Sequence, residues 1–91
     1  MSPDLIQYIS ANPLAGALLK GTGGIRKLRW KRKRTGKSGG VRGIYYYYDA
    51  RYPLFLLTVF GKFEKTNLSP AERNMLAKLA KKLLERYRQG K

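Results

Sequence analysis

The chain has no cysteine, no histidine and only five acidic residues. Without cysteine there is no disulfide, no thiolate nucleophile and no zinc–cysteine site. Without histidine the commonest general base and the commonest metal ligand are both absent. Five scattered carboxylates are too few to build a magnesium or calcium cage, so no metal and no cofactor is expected. No apolar run approaches the ~18 residues of a membrane span. The longest, Leu54 to Phe60, has the length of a buried strand. The N-terminus lacks the basic-then-apolar pattern of a signal peptide, which leads to the expectation of a cytoplasmic protein.

What is present is positive charge. Twenty Lys and Arg against five Asp and Glu give 91 residues a net charge of +15. The length suits one domain, residues 1–91, burying about 60–65% of the surface its unfolded chain exposes. The charge points to a polyanionic partner: nucleic acid first, acidic protein or membrane second. A hydrophobic content of 43% and an aromatic content of 12% exclude a disordered basic tail. Chemistry in such a chain falls to Lys, Arg, Tyr and one or two carboxylates.

Ser2-Pro3-Asp4 reads as a helix start, with Leu5, Ile6, Tyr8 and Ile9 as its apolar face and Asn12-Pro13 as its end. Residues 14–24 are broken by glycines and read as a connector. Ile25 to Lys31 alternates as a strand, with Arg26, Leu28 and Trp30 on one face and Ile25, Lys27 and Arg29 on the other. Residues 31–40 form a basic loop. Val41 to Asp49 is a second strand, and Leu54 to Phe60 a third, whose continuous apolarity predicts a central position. Ser69-Pro70-Ala71-Glu72 opens a second helix running to about Arg88, with Met75, Leu76, Leu79, Ala80, Leu83, Leu84 and Tyr87 at helical spacing. The expected fold is α+β: a three-stranded antiparallel meander in the order helix-strand-strand-strand-helix, packed by its helices.

Between Lys20 and Arg42 there are ten Lys and Arg and no acid. A charge run is often only a solvated face, but here aromatics interleave with it, the pattern that suits phosphate contact plus base stacking. The candidates for RNA contact are Arg26, Trp30, Lys31, Arg32, Lys33, Arg34 and Lys37, with Tyr46 on the next strand. Among Tyr45 to Tyr48, alternation sends one pair to the core and leaves the other beside Arg42. Thr35-Gly36-Lys37-Ser38 echoes the end of a phosphate-binding loop, but the required leading glycine falls at Lys31 and no strand-loop-helix surrounds it. The segment Gly61 to Lys65 joins a strand to a capped helix, a place where loops often carry function.

Several strings in this chain resemble the RelE/HigB toxins of bacterial type II toxin–antitoxin modules. They are Asn12 to Gly16, the run Gly21-Thr22-Gly23-Gly24-Ile25-Arg26-Lys27-Leu28-Arg29-Trp30, Gly36 to Arg42 with Ile44 to Tyr46, Leu56 to Phe60, then Lys62, Glu64, Lys65 and Asn67 to Ser69. The resemblance covers residue 12 to about residue 82, and the Gly21–Trp30 string is specific to the HigB-like branch. It implies a small RelE-like sandwich that cleaves mRNA on the ribosome, with an acidic antitoxin as partner and no membrane. The ribonucleotide's own 2′-hydroxyl attacks the adjacent phosphate, a route that needs neither metal nor histidine.

The resemblance also implies roles. Lys27 and Arg29 match paired basic residues on one strand, Arg42 the arginine that stabilises the scissile phosphate, and Lys62, Glu64 and Lys65 a segment supplying the proton acceptor. Glu64 or a lysine of depressed pKa is expected to take the proton. The chain departs from the pattern at Phe63, commonly Asn, and Gly61, commonly Ala. The family's opening strand and first helix have no counterpart before residue 3. An exposed sheet edge is expected from that absence. It would be met by an alternative start, by self-association, or by a strand from a partner. The competing function is a non-catalytic RNA- or ribosome-binding basic module. Membrane activity is disfavoured, because the apolar stripe of the second helix is needed to cover the sheet.

Overall fold

The computed structural model describes residues 3–30, 40–61 and 67–90. Helix α1 is Pro3–Ala11 and helix α2 is Pro70–Gln89. Between them run β1, Ala17–Leu18, β2, Ile25–Trp30, β3, Val41–Tyr46, and β4, Phe55–Gly61, in one antiparallel sheet of order β1-β2-β3-β4. The fold is α+β, as the alternating and helical periods predict. No described helix is long and apolar enough to cross a membrane.

The two helices take opposite faces of the sheet. Along β3 the side chains alternate: Val41, Gly43 and Tyr45 face α1, and Arg42, Ile44 and Tyr46 face α2. Leu5 and Ile9 of α1 form one core with Tyr45, joined by Leu28, Trp30 and Val59. Leu76, Ala80 and Leu84 of α2 form the other with Ile25, Ile44 and Phe60. Gly43 keeps α1 close: a Cβ there would lie 3.3 Å from Leu5 Cδ2.

Two expectations are corrected. The sheet has four strands, because Ala17 and Leu18 pair with Lys27 and Arg26. Two residues are too few to carry an alternation, so glycine signals dominate the 14–24 segment. The apolar strand, now β4, lies at an edge and not in the centre. Its apolarity on both sides comes from a helix above and a helix below, which continuous hydrophobicity cannot distinguish from two flanking strands. The β3–β4 register slips by one between Ile44 and Tyr45.

Helix α2 starts where its sequence says it should. Ser69 Oγ accepts from the Glu72 amide at 3.1 Å, and the Glu72 carboxylate accepts from the Ser69 amide at 2.8 Å. Pro70 occupies the first turn, where its missing N–H costs nothing. Ser69→Ala removes one half of this reciprocal cap and is expected to destabilise the chain by about 1 kcal/mol. A urea midpoint unchanged from the parent would contradict that account of the helix start.

The connector after α1 is held by Tyr45. Its hydroxyl donates to the Pro13 carbonyl at 2.8 Å and accepts from the Gly16 amide at 2.8 Å. Burial pushes the Tyr45 phenol above its ordinary pKa, against the smaller opposing effects of the Gly16 hydrogen bond and the Arg26 charge. The folded chain therefore holds the Tyr45 proton more tightly than the unfolded chain does. Its contribution to stability is complete below about pH 10 and is lost as pH rises through the raised folded value. Melting curves from pH 9 upward should fall, and Tyr45→Phe, which cannot ionise, should fall less steeply.

Candidate nucleic-acid interface

Pairing of β2 with β3 sets Lys27 opposite Ile44 and Arg29 opposite Arg42. All three cations lie on the α2 side of the sheet, since Ile44 is core on that side and Arg42 is two residues from it. Lys27 and Arg29 share a face by alternation alone; Arg42 joins them by register. Directly opposed like charges across an antiparallel pair repel. A fold has no use for Arg29 facing Arg42, whereas a phosphate between them would neutralise both.

The surroundings fit an anion. Arg29 is exposed. Arg42 is half-buried, and its Nη1 is shielded from solvent with no hydrogen-bond partner among the described residues. A guanidinium N–H without an acceptor is costly unless a ligand supplies one. Lys27 Nζ donates to Asn67 Oδ1 at 2.7 Å, which fixes the ammonium beside the entry to α2. Among the described residues no group of three or more acidic side chains could hold a metal ion.

Of the four described carboxylates, Glu85 is exposed on α2 and the other three have other work. Asp49 pairs with Arg51 at 2.8 Å, and that hydrogen bond holds its carboxyl below the usual range. Glu72 belongs to the α2 cap, and Asp4 to the first turn of α1. Lys62, Glu64 and Lys65 lie outside the described residues. Their described neighbours bracket the cations: Gly61 pairs with Val41, next to Arg42, and Asn67 bonds Lys27.

Residues 10–90 match the family model described as RelE toxin of the RelE / RelB toxin–antitoxin system. The chain belongs to the RelE toxin family. The match spans nearly the whole chain, including every strand that carries the cation group.

Within this RelE-family toxin the remaining candidates separate. Lys31, Arg32, Lys33, Arg34 and Lys37 lie outside the described residues; the strands they connect close with the pair Trp30 and Val41. Trp30 faces α1, where its ring meets Tyr8 at 5.1 Å, so it is on the opposite side of the sheet from Lys27, Arg29 and Arg42. Arg26 is also on that side. Its Nη1 donates to the Gly16 carbonyl at 2.8 Å and to the Leu14 carbonyl at 3.4 Å, so this guanidinium ties down the connector. Tyr46 shares the face of Arg42, but α2 covers it there: it is 5% exposed and its ring stacks on Phe55 at 6.3 Å. Tyr46 offers no free ring for a base, which corrects the stacking role that alternation suggests.

The sequence assigns two residues no site role. Asn67 belongs to the strings that resemble the family, and only its bond to Lys27 places it beside the cations. Arg73, at the end of the first turn of α2, has a buried Nε with no hydrogen-bond partner among the described residues. Its signal in the sequence is only that a basic residue follows the cap, where the helix dipole disfavours one.

Proposed function

We propose that this chain is the endoribonuclease toxin of a HigB-like toxin–antitoxin pair, cutting mRNA on the ribosome in the cytoplasm and neutralised by an acidic antitoxin. The observation that carries the reading is Arg29 opposite Arg42, with an Arg42 N–H that has no acceptor among the described residues. In this reading the 2′-oxygen of one ribonucleotide attacks the adjacent phosphorus. Its proton passes to Glu64 or to a lysine of the Lys62–Lys65 segment. Arg42 and Arg29 donate to the non-bridging oxygens as negative charge builds on them, where such donors act most strongly. Lys27 neutralises the same group. The P–O5′ bond breaks, and the leaving oxygen takes up a proton, leaving a 2′,3′-cyclic phosphate and a 5′-hydroxyl. The net charge of +15 suits both ribosomal RNA and an acidic antitoxin.

Controlled expression in a bacterial host, with growth and bulk translation followed, tests this directly. Growth arrest is expected, with mRNA fragments that end in a cyclic phosphate. Normal growth with soluble, folded chain and ribosome co-sedimentation would instead favour the non-catalytic binding module.

A further inference from the structure

On the α2 side of the sheet, away from the cations just described, a cleft of about 390 Å³ opens between the turn before β2 and the middle of α2. It is lined by Gly21, Thr22 and Gly23, by Lys78 and Lys81, and by Tyr46. Among the described residues no acidic side chain lines it.

The turn is built to be open and rigid. Gly21 and Gly23 both have φ of 77°, a left-handed backbone that L side chains rarely adopt. A Cβ at either would meet nothing within 4 Å, so the space above them is unfilled. Thr22, buried, holds the turn from beneath: its hydroxyl donates to the Leu19 carbonyl at 2.6 Å and accepts from the Ile25 amide at 3.2 Å. Opposite stand two ammonium groups. Neither Lys78 nor Lys81 makes an ion pair or hydrogen bond with any described residue, and the Tyr46 hydroxyl has no hydrogen-bond partner among them.

The Thr22 amide is committed to the Leu19 carbonyl at 3.3 Å, which leaves the Gly21 and Gly23 amides, the Tyr46 hydroxyl and two positive charges to make a site for an anion with several acceptor oxygens. Tyr46 and Arg42 lie on one face of β3 four residues apart, a span of roughly 13 Å. One phosphate cannot touch both ends. We propose that the cleft is a second phosphate site, binding a phosphodiester of the same RNA strand at a distance from the phosphate held by Arg29 and Arg42. This rests on the reading of that face as an RNA interface.

The test uses the intact ¹⁵N-labelled chain and a short 2′-O-methyl RNA oligonucleotide, which has no free 2′-hydroxyl to attack. RNA is expected to shift the amide resonances of Gly21, Thr22 and Gly23. The Lys78→Gln, Lys81→Gln double variant is expected to lose those shifts, to bind roughly three- to tenfold more weakly, and to show a salt slope shallower by about 0.7, the value of one single-strand phosphate contact. An equal loss in Lys82→Gln, Arg86→Gln, which removes the same charge from α2 outside the cleft, would overturn the proposal. So would a wild-type titration in which the turn amides stay still. Inorganic phosphate reproducing the turn shifts at equal phosphate concentration would make this a free-anion site and overturn the RNA assignment. Turn shifts that persist while Arg29 and Arg42 show none would support the cleft and remove the reading of the cation group, so the two ideas fail separately.

Discussion

Arg42→Ala is expected to abolish growth arrest and to lower cleavage of ribosome-bound mRNA by about 10²–10³-fold, the usual cost of removing one donor aimed at developing transition-state charge. The same change is expected to leave the fold intact. Arg42 lies opposite Arg29 and Phe60, and among the described residues its shielded N–H has no acceptor and the side chain shows no hydrogen bond or ion pair. Removing it relieves the repulsion across the β2–β3 pair, worth a few tenths of a kcal/mol up to about 1. Activity and stability are therefore expected to move in opposite directions, as they do at sites kept for function and not for the fold. Cleavage assays and melting curves on one preparation check both. A variant that still arrests growth would remove Arg42 from the reaction. A variant that melts well below the parent would make it a structural residue.

Tyr45→Ala is expected to cost about 3–5 kcal/mol, the range for deleting a buried aromatic. A chain of this length holds roughly 5–14 kcal/mol in total, so the loss removes a large share of it. Tyr45 is fully buried and is the part of the sheet on which Leu5 and Ile9 of α1 pack. Its hydroxyl also closes the connector onto β3 through Pro13 and Gly16. Tyr45→Phe separates the two contributions: the ring stays, the Gly16 amide loses its acceptor, and about 1–3 kcal/mol should be lost. Gly16 is part of the same arrangement, since a Cβ there would lie 2.8 Å from the Tyr45 oxygen. Denaturant unfolding of the three proteins orders them as parent, Tyr45→Phe, Tyr45→Ala. A Phe variant as stable as the parent would show that the connector does not need its anchor.

Both residues show how far residue order alone reaches. Lys27 and Arg29 could be placed together because alternation along one strand is a local property. Ser69 and Glu72 could be read as a cap because a cap is three residues long. Arg42 could be singled out by family resemblance, but not placed opposite Arg29, because register depends on pairing two strands separated by the 31–40 segment. Trp30 and Arg26 share a strand and a basic context with the cation group, yet point the other way. Arg26 is engaged by the carbonyls of Leu14 and Gly16, a contact invisible until the connector is folded back along β2.

What residue order determined here is what operates over a few bonds or over the whole chain. Strand alternation, the ends of α1 and α2, the missing histidine and cysteine, and the charge of +15 are all of this kind, and so are the strings that mark the family. The tertiary structure alone decided three things. Arg42 faces Arg29, α2 lies over Tyr46 and removes its ring from solvent, and β4 is an edge strand. The physical reason is common to all three. Each depends on which distant segment lies beside or over a residue, and that is settled by strand pairing and the joint burial of both helices and the sheet, not by any segment's own preference.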